Sequence, residues 1–118
     1  MKQETLDFLT DNDYRMWREE ETRETTKYEF QKRVLDKEGW PLCECNDKLL
    51  LDLVYFKYTF LNGESSEGFE MSIVHERKGG ELGDFKIYGL TEEWIVSRLS
   101  NYEKGLKECW KMFYSLGE

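Results

Sequence analysis

The spacing of apolar residues changes along the chain, and these changes divide the sequence into predicted elements. Residues 3–21 are predicted to be helical, because apolar side chains recur there at helical spacing. The stripe consists of Leu6, Leu9, Tyr14 and Trp17. Asp11 or Asp13 supplies a second N-cap within this stretch. The N-terminal part is therefore expected to form helices.

Residues 26–37 fit two patterns. Thr26 and Glu29 have the spacing of a capping box, and helical spacing continues to Leu35, so a helix is favoured. Tyr28, Phe30 and Val34 also fall on alternate positions, which leaves a strand open. Gly39-Trp40-Pro41 ends the element, because proline cannot continue a helix.

From residue 48 the period changes to two, and three strands are predicted. The run from Leu49 to Phe60 is apolar on both faces, which is typical of a central strand covered on both sides. Loop 62–68 leads into a cleanly alternating strand over 69–76, and loop 78–83 leads into a third strand over 85–88. We expect an antiparallel meander.

A long amphipathic helix is predicted after Thr91, which is a natural N-cap. Its apolar seam contains Ile95, Leu99, Tyr102, Leu106, Cys109, Phe113 and Leu116. Packing on the sheet is favoured over a homodimeric coiled coil, because the positions beside the seam are not the charged ones that coiled coils use. The predicted class is α+β, in a single domain over residues 1–118.

Charge narrows the classes of function. The chain has 25 acidic and 17 basic residues, a net charge of −8, and the charges are spread along the sequence. This balance argues against direct binding to nucleic acid or to an anionic membrane, and the interspersed bases argue against mimicry of DNA. No apolar run is long enough to span a membrane, and the polar start lacks the features of a signal peptide. A cytoplasmic location is expected.

Metal and catalytic chemistry find little support. Cys43, Cys45, His75 and Cys109 together have the composition of a zinc site, but they are every cysteine and histidine of the chain and their spacing is unusual. No metal and no cofactor are predicted. Cys109 is interpreted as a core residue on the seam, and Cys43 and Cys45 as reduced thiols. His75 shares its face with apolar residues and has no catalytic partner in the sequence pattern.

Aromatic and acidic side chains are the candidate partner-binding residues. Trp94, Trp110 and Tyr114 border the helix seam, where they form either an exposed rim or part of the core. Trp40 lies before the meander, and Glu64 and Glu67 lie in its first loop.

These features predict a small acidic interaction protein without enzymatic activity. Alanine is absent, proline occurs once and lysine outnumbers arginine, which indicates an AT-rich gene such as phages and mobile elements carry. We therefore expect an inhibitor of a host defence or nuclease complex that binds a host protein with a basic surface. The alternative is a domain that binds or sequesters a nucleotide signal. A third hypothesis is an enzyme built on His75.

Overall fold

A computed structural model describes residues 1–36, 48–77 and 80–115 of the chain. In these residues a short helix precedes five strands, and a long helix follows them. The elements are α1 (Gln3–Asp11), β1 (Arg15–Glu21), β2 (Thr25–Asp36), β3 (Lys48–Thr59), β4 (Ser65–Arg77), β5 (Gly80–Leu90) and α2 (Glu92–Ser115). The strands form one antiparallel sheet in the order β1-β2-β3-β4-β5. The α+β class is confirmed.

Both helices contribute to a core on one face of the sheet. Phe30, Leu53 and Met71 lie side by side on β2, β3 and β4, and each is at most 1% exposed. Leu9 of α1 and Ile95 of α2 belong to the same buried cluster. Burial of one such side chain contributes about 1.5–3 kcal/mol, so this layer is the main source of stability.

The opposite face of the sheet carries the alternate positions and is only partly buried. Val54 and Phe56 point away from the helix side, and both keep part of their surface in solvent. No helix within residues 1–36, 48–77 and 80–115 covers this face. On this face Leu50 and Val74 are nonetheless buried, at 9% and 6% exposed, so the expectation that β3 is covered on both sides stays a prediction. We call this surface the uncovered face.

The predicted N-terminal helix is too long. The helix ends at Asp11, because Asp13 adopts a left-handed φ of 67° and a reversal follows. The Tyr14 N–H donates to the Leu9 carbonyl at 2.9 Å, and the Asp13 N–H donates to that of Thr10 at 3.2 Å. These are the paired bonds of a Schellman motif, which end a helix without a glycine.

Two predicted helical stretches are strands. Every residue of β1 is exposed, so this edge strand has no apolar alternation for the sequence pattern to display. In β2 the alternation of Tyr28, Phe30 and Val34 is the true signal, and the capping-box spacing of Thr26 and Glu29 is coincidental. The sheet therefore has five strands in the described residues, where three were predicted.

The first meander loop and the helix seam also need correction. The turn occupies residues 60–64, and β4 begins at Ser65, four residues earlier than predicted. The N-cap prediction for α2 is confirmed, because the Trp94 N–H donates to Thr91 Oγ1 at 3.1 Å. Ile95 and Leu99 are fully buried, whereas Cys109 is exposed, so the prediction that Cys109 is a core residue is wrong.

A buried polar cluster joins α2 to the sheet. Glu103 is only 7% exposed and accepts a hydrogen bond from the Tyr14 hydroxyl at 3.1 Å. Its other oxygen lies 2.7 Å from Lys32 Nζ and 3.3 Å from Lys107 Nζ. Burial, and then the charge and hydrogen bond of Glu103, raise the pKa of Tyr14 above its usual range. The phenol therefore remains protonated and donates at neutral pH.

Removal of Glu103 should destabilise the protein strongly. Glu103→Ala leaves the Lys32 ammonium and the Tyr14 hydroxyl without their carboxylate, and we expect a loss of about 3 kcal/mol in the free energy of unfolding. Urea titration measures this loss. The matched control is Glu108→Ala on the exposed side of α2, which should change stability by less than about 0.5 kcal/mol. Equal losses in the two variants would contradict the role given to the cluster.

Candidate partner-binding end of the sheet

The β1–β2 and β3–β4 turns lie at the same end of the sheet. Because the strands are antiparallel, Thr25 pairs with Tyr58 and Thr59 pairs with Ser65 at this end. The Thr59 N–H donates to the Glu24 carbonyl at 2.8 Å and ties the two turns together. The end of β5 and the start of α2 lie here as well, since Phe69 pairs with Leu90. We call residues 19–27, 57–67 and 90–93 the turn end.

Acidic residues are concentrated at the turn end. It carries eight glutamates, four in residues 19–27, two in 57–67 and two in 90–93, against three basic side chains. The amino group of Met1 and the chain at Lys2 also lie beside it, and its net charge stays negative. The charge looks evenly spread along the sequence, but the fold gathers much of it at one pole. Such a pole attracts cationic surfaces.

The β3–β4 turn is held in one conformation by local hydrogen bonds. The Gly63 N–H donates to the Phe60 carbonyl at 3.0 Å, and the Phe60 N–H donates to that of Glu64 at 2.7 Å. Asn62 Oδ1 accepts from the Glu64 N–H at 3.0 Å. Gly63 has a φ of 87°, which suits glycine and completes a three-residue hairpin loop. The Asn-Gly pair is the sequence signal for this geometry.

Three exposed apolar side chains lie at the end of β3 and in this turn. Tyr58 and Phe60 are 42% and 48% exposed, and their rings meet edge to face with centroids 5.0 Å apart. Leu61 is fully exposed at the tip of the loop. We call these three residues the apolar patch. It lies among the glutamates of the turn end, an arrangement typical of a protein-binding surface with an apolar centre and a charged rim.

Tyr55 of β3 forms hydrogen bonds with both the turn end and the N-terminal amino group. Its hydroxyl donates to Glu67 Oε2 at 2.5 Å and accepts a hydrogen bond from the Met1 amino group at 3.1 Å. Burial, and then the hydrogen bond to Glu67, raise the pKa of Tyr55. On β2 the Tyr28 hydroxyl donates to Glu21 at 2.6 Å, and this bond raises the pKa of Tyr28 to about 12. Two of the glutamates are thus held in fixed orientations.

Glu92 links the two helices at the turn end. Its Oε1 accepts a hydrogen bond from the Lys2 N–H at 2.7 Å. Burial acts to raise the pKa of Glu92, but the hydrogen bonds from Lys2 and the Thr5 hydroxyl outweigh it, together with the nearby positive charges of Met1 and Lys2. The pKa of Glu92 therefore lies below its usual range.

The sequence-predicted site residues are dispersed in the structure. Glu64 and Glu67 lie at the turn end, beside the apolar patch. Trp94 is half-buried and packs against the core, and its ring centroid lies 5.9 Å from that of Tyr102. Trp40 and the side chains of Trp110 and Tyr114 lie outside the described residues. Their part in partner binding stays a prediction.

Of the four residues that together have the composition of a zinc site, three have side chains outside the described residues. Cys43 and Cys45 lie outside them, and Cys109 is exposed on α2. His75 pairs with Leu49 through the backbone, and its side chain is outside the described part. Among the described residues, no three potential ligands gather in a metal-binding group. Neither described helix has a segment both long and apolar enough to cross a bilayer.

Sequence reasoning missed the apolar patch. The sequence pattern places Tyr58 and Phe60 in a central strand, and it does not mark Leu61 as a candidate partner-binding residue. A signal was present, because the strand continues its apolar alternation directly into the Asn62-Gly63 turn, where burial ends. Tyr58 and Phe60 continue the alternation of Val54 and Phe56, so they lie on the uncovered face of the sheet.

The charge of Glu92 should make stability depend on pH. In the folded state the carboxyl binds protons less readily than in the unfolded chain, so its contribution is complete above its ordinary pKa of 4.5 and is lost as pH falls through the lower folded pKa. Glu92→Gln keeps an acceptor for Lys2 but removes the charge. We expect a loss of about 0.5 kcal/mol at pH 7 that shrinks towards zero at pH 2.5.

Urea titrations at the two pH values measure this change. Glu93→Gln is the control, because Glu93 carries a charge in the same turn of α2 and the Lys2 N–H donates to Glu92. A loss for Glu92→Gln that is the same at both pH values would contradict the role of the charge.

Comparison of the chain with protein-family models, with curated proteins and with solved structures finds no match. No relative therefore supplies a function or an expected site. The fold, and the charges and exposed side chains of the turn end, are the features that indicate a function.

Proposed function

We propose that this chain is an interaction protein that docks its turn end on a partner protein with a basic surface and an apolar pocket. The observation that carries the proposal is the apolar patch, displayed by a rigid turn within an acidic pole. No catalytic step is assigned to any residue.

The geometry of the patch supports a role in affinity. Aromatic and large aliphatic side chains dominate the energy of protein interfaces when a pocket on the partner buries them. Leu61 and Phe60 project from a loop that is already ordered by its own hydrogen bonds, so little conformational entropy is lost on binding. These two residues are the expected anchors.

The charge of the turn end supports the choice of partner. Glutamates around an apolar centre attract a basic surface during diffusional encounter and repel acidic ones. Eight glutamates against three bases make this the pole that a cationic partner would meet. Inhibition of a host defence or nuclease complex, by a protein of phage or mobile-element origin, is the biological setting that we propose. The base composition of the gene and its neighbours tests that origin.

Site-specific photo-crosslinking tests the docking surface. A benzoylphenylalanine at Ser65, beside the turn, should capture a discrete protein from host lysate, whereas the same group at Asn101 on α2 should not. The captured protein is then purified and its affinity for the unmodified chain is measured. Phe60→Ala and Leu61→Ala should each weaken binding about thirtyfold, a loss of about 2 kcal/mol.

Matched variants separate the patch from general effects. Tyr88→Ala removes another exposed aromatic side chain, on β5, and should leave affinity unchanged. Glu24→Lys and Glu64→Lys should slow association and reduce its salt dependence, whereas Glu108→Lys on α2 should do neither. A partner that binds the Phe60→Ala/Leu61→Ala double variant as tightly as the original chain would overturn the proposal.

A further inference from the structure

A second feature of the sheet lies far from the turn end, on the uncovered face. A depression of about 500 Å³ opens beside β1 and β2, which is within the range of small-molecule sites. Its lining combines an indole ring, two guanidinium groups, an amide and an apolar side chain. These belong to Trp17, Arg15, Arg33, Gln31 and Leu50, with Asp13 at the rim.

An irregularity in β1 creates this arrangement. The pairing of β1 with β2 shifts between Met16 and Arg18, so one extra residue is inserted into the edge strand. Arg15 pairs with Gln31 and Arg18 pairs with Glu29, and both partners point to the uncovered face. Trp17 also lines cavities on that face, with 58% of its surface exposed. A bulge of this kind re-aims side chains, and here it gathers an indole and two guanidinium groups.

Trp17 also borders a second depression, of about 210 Å³, that contains Glu29. Glu29 Oε1 lies 3.3 Å from Lys27 Nζ, but Oε2 is buried and has no hydrogen-bond partner among the described residues. Arg18 Nε lies 3.7 Å from Oε2, which is an ion pair but beyond hydrogen-bond distance. A buried carboxylate oxygen without a donor is costly, and a rotation of the Glu29 side chain into the depression that it lines would let a ligand N–H satisfy it.

The cationic side chains that line the first depression differ in whether a carboxylate of the protein already neutralises them. Lys32 also lines it, but its ammonium is neutralised by Glu103 at 2.7 Å and lies 5.2 Å from the Tyr14 ring centroid. Arg15 forms no hydrogen bond or ion pair with any residue in the described ranges. A guanidinium beside an exposed indole can bind a phosphate while the indole stacks on a planar base.

We infer that the two depressions together bind a guanine nucleotide. The base stacks on Trp17, its N1–H and amino group donate to Glu29, and the phosphates lie against Arg15 and Arg33. Adenine fits less well, because its Watson–Crick edge presents an acceptor nitrogen beside its amino group, and that nitrogen would face the carboxylate. Glu29 and Arg33 are four residues apart on β2, about 13 Å along the strand. The reach of an arginine side chain shortens this span to that of a nucleotide.

Isothermal titration calorimetry of the intact chain tests the inference, with GTP, ATP, guanosine and sodium triphosphate as probes. GTP should bind saturably, at least tenfold more tightly than ATP, guanosine or triphosphate. Trp17→Ala and Arg15→Gln should weaken GTP binding about tenfold. Glu29→Gln should abolish the preference for GTP over ATP. Tyr88→Ala and Arg98→Gln remove an exposed aromatic ring and an exposed guanidinium elsewhere and should change nothing.

Several outcomes would overturn the inference. These are the absence of saturation by GTP at 1 mM, equal affinity for triphosphate and GTP, and affinity that Trp17→Ala leaves intact. If a guanine-rich RNA oligomer binds at least tenfold more tightly than GTP, the ligand is single-stranded RNA and the mononucleotide inference is overturned. Thermal melts of each variant without ligand ensure that a loss of binding is not a loss of fold. The outcome is independent of partner docking at the turn end.

Discussion

The burial of one face of a five-stranded sheet beneath two helices is the constraint on which the described structure depends. Phe30, Leu53 and Met71 form a row across β2, β3 and β4, and Leu9, Ile95 and Leu99 belong to the same buried cluster as this row. Because side chains alternate along a strand, everything that points away from this layer lies on the other face. The position of α1 and α2 therefore decides which residues are available for binding.

This constraint separates two chemically different surfaces. At the turn end, Tyr58 and Phe60 lie on the uncovered face of β3 and, with Leu61 at the loop tip, are surrounded by glutamates, which suits a basic protein partner. On the uncovered face, the bulge in β1 places Trp17 beside Arg15, which suits a planar anion. A net charge of −8 for the whole chain conceals this division, since charges are sorted by the fold and not by sequence position.

The sequence predicts those parts of the fold whose physical signal is local. Thr91 caps α2, and Asn62-Gly63 turns a hairpin, because each acts on neighbouring backbone groups. The edge strand β1 escapes prediction, because all its side chains are exposed and its pairing partner supplies the order. Glu64 and Glu67 are named from the sequence as candidate partner-binding residues, and their role stays a prediction. Tyr58 and Phe60 are not named, because their exposure depends on which face of the sheet the helices cover.

Hydroxyl-radical footprinting of the native chain tests the one-face architecture most directly. The account predicts rapid labelling of Trp17, Phe60 and Leu61, and protection of Phe30, Phe69 and Met71 by at least an order of magnitude, because only the second group lies beneath the helices. Protection of Trp17 equal to that of Met71 would show that the uncovered face is covered. That result would contradict the account and the availability of the site on that face.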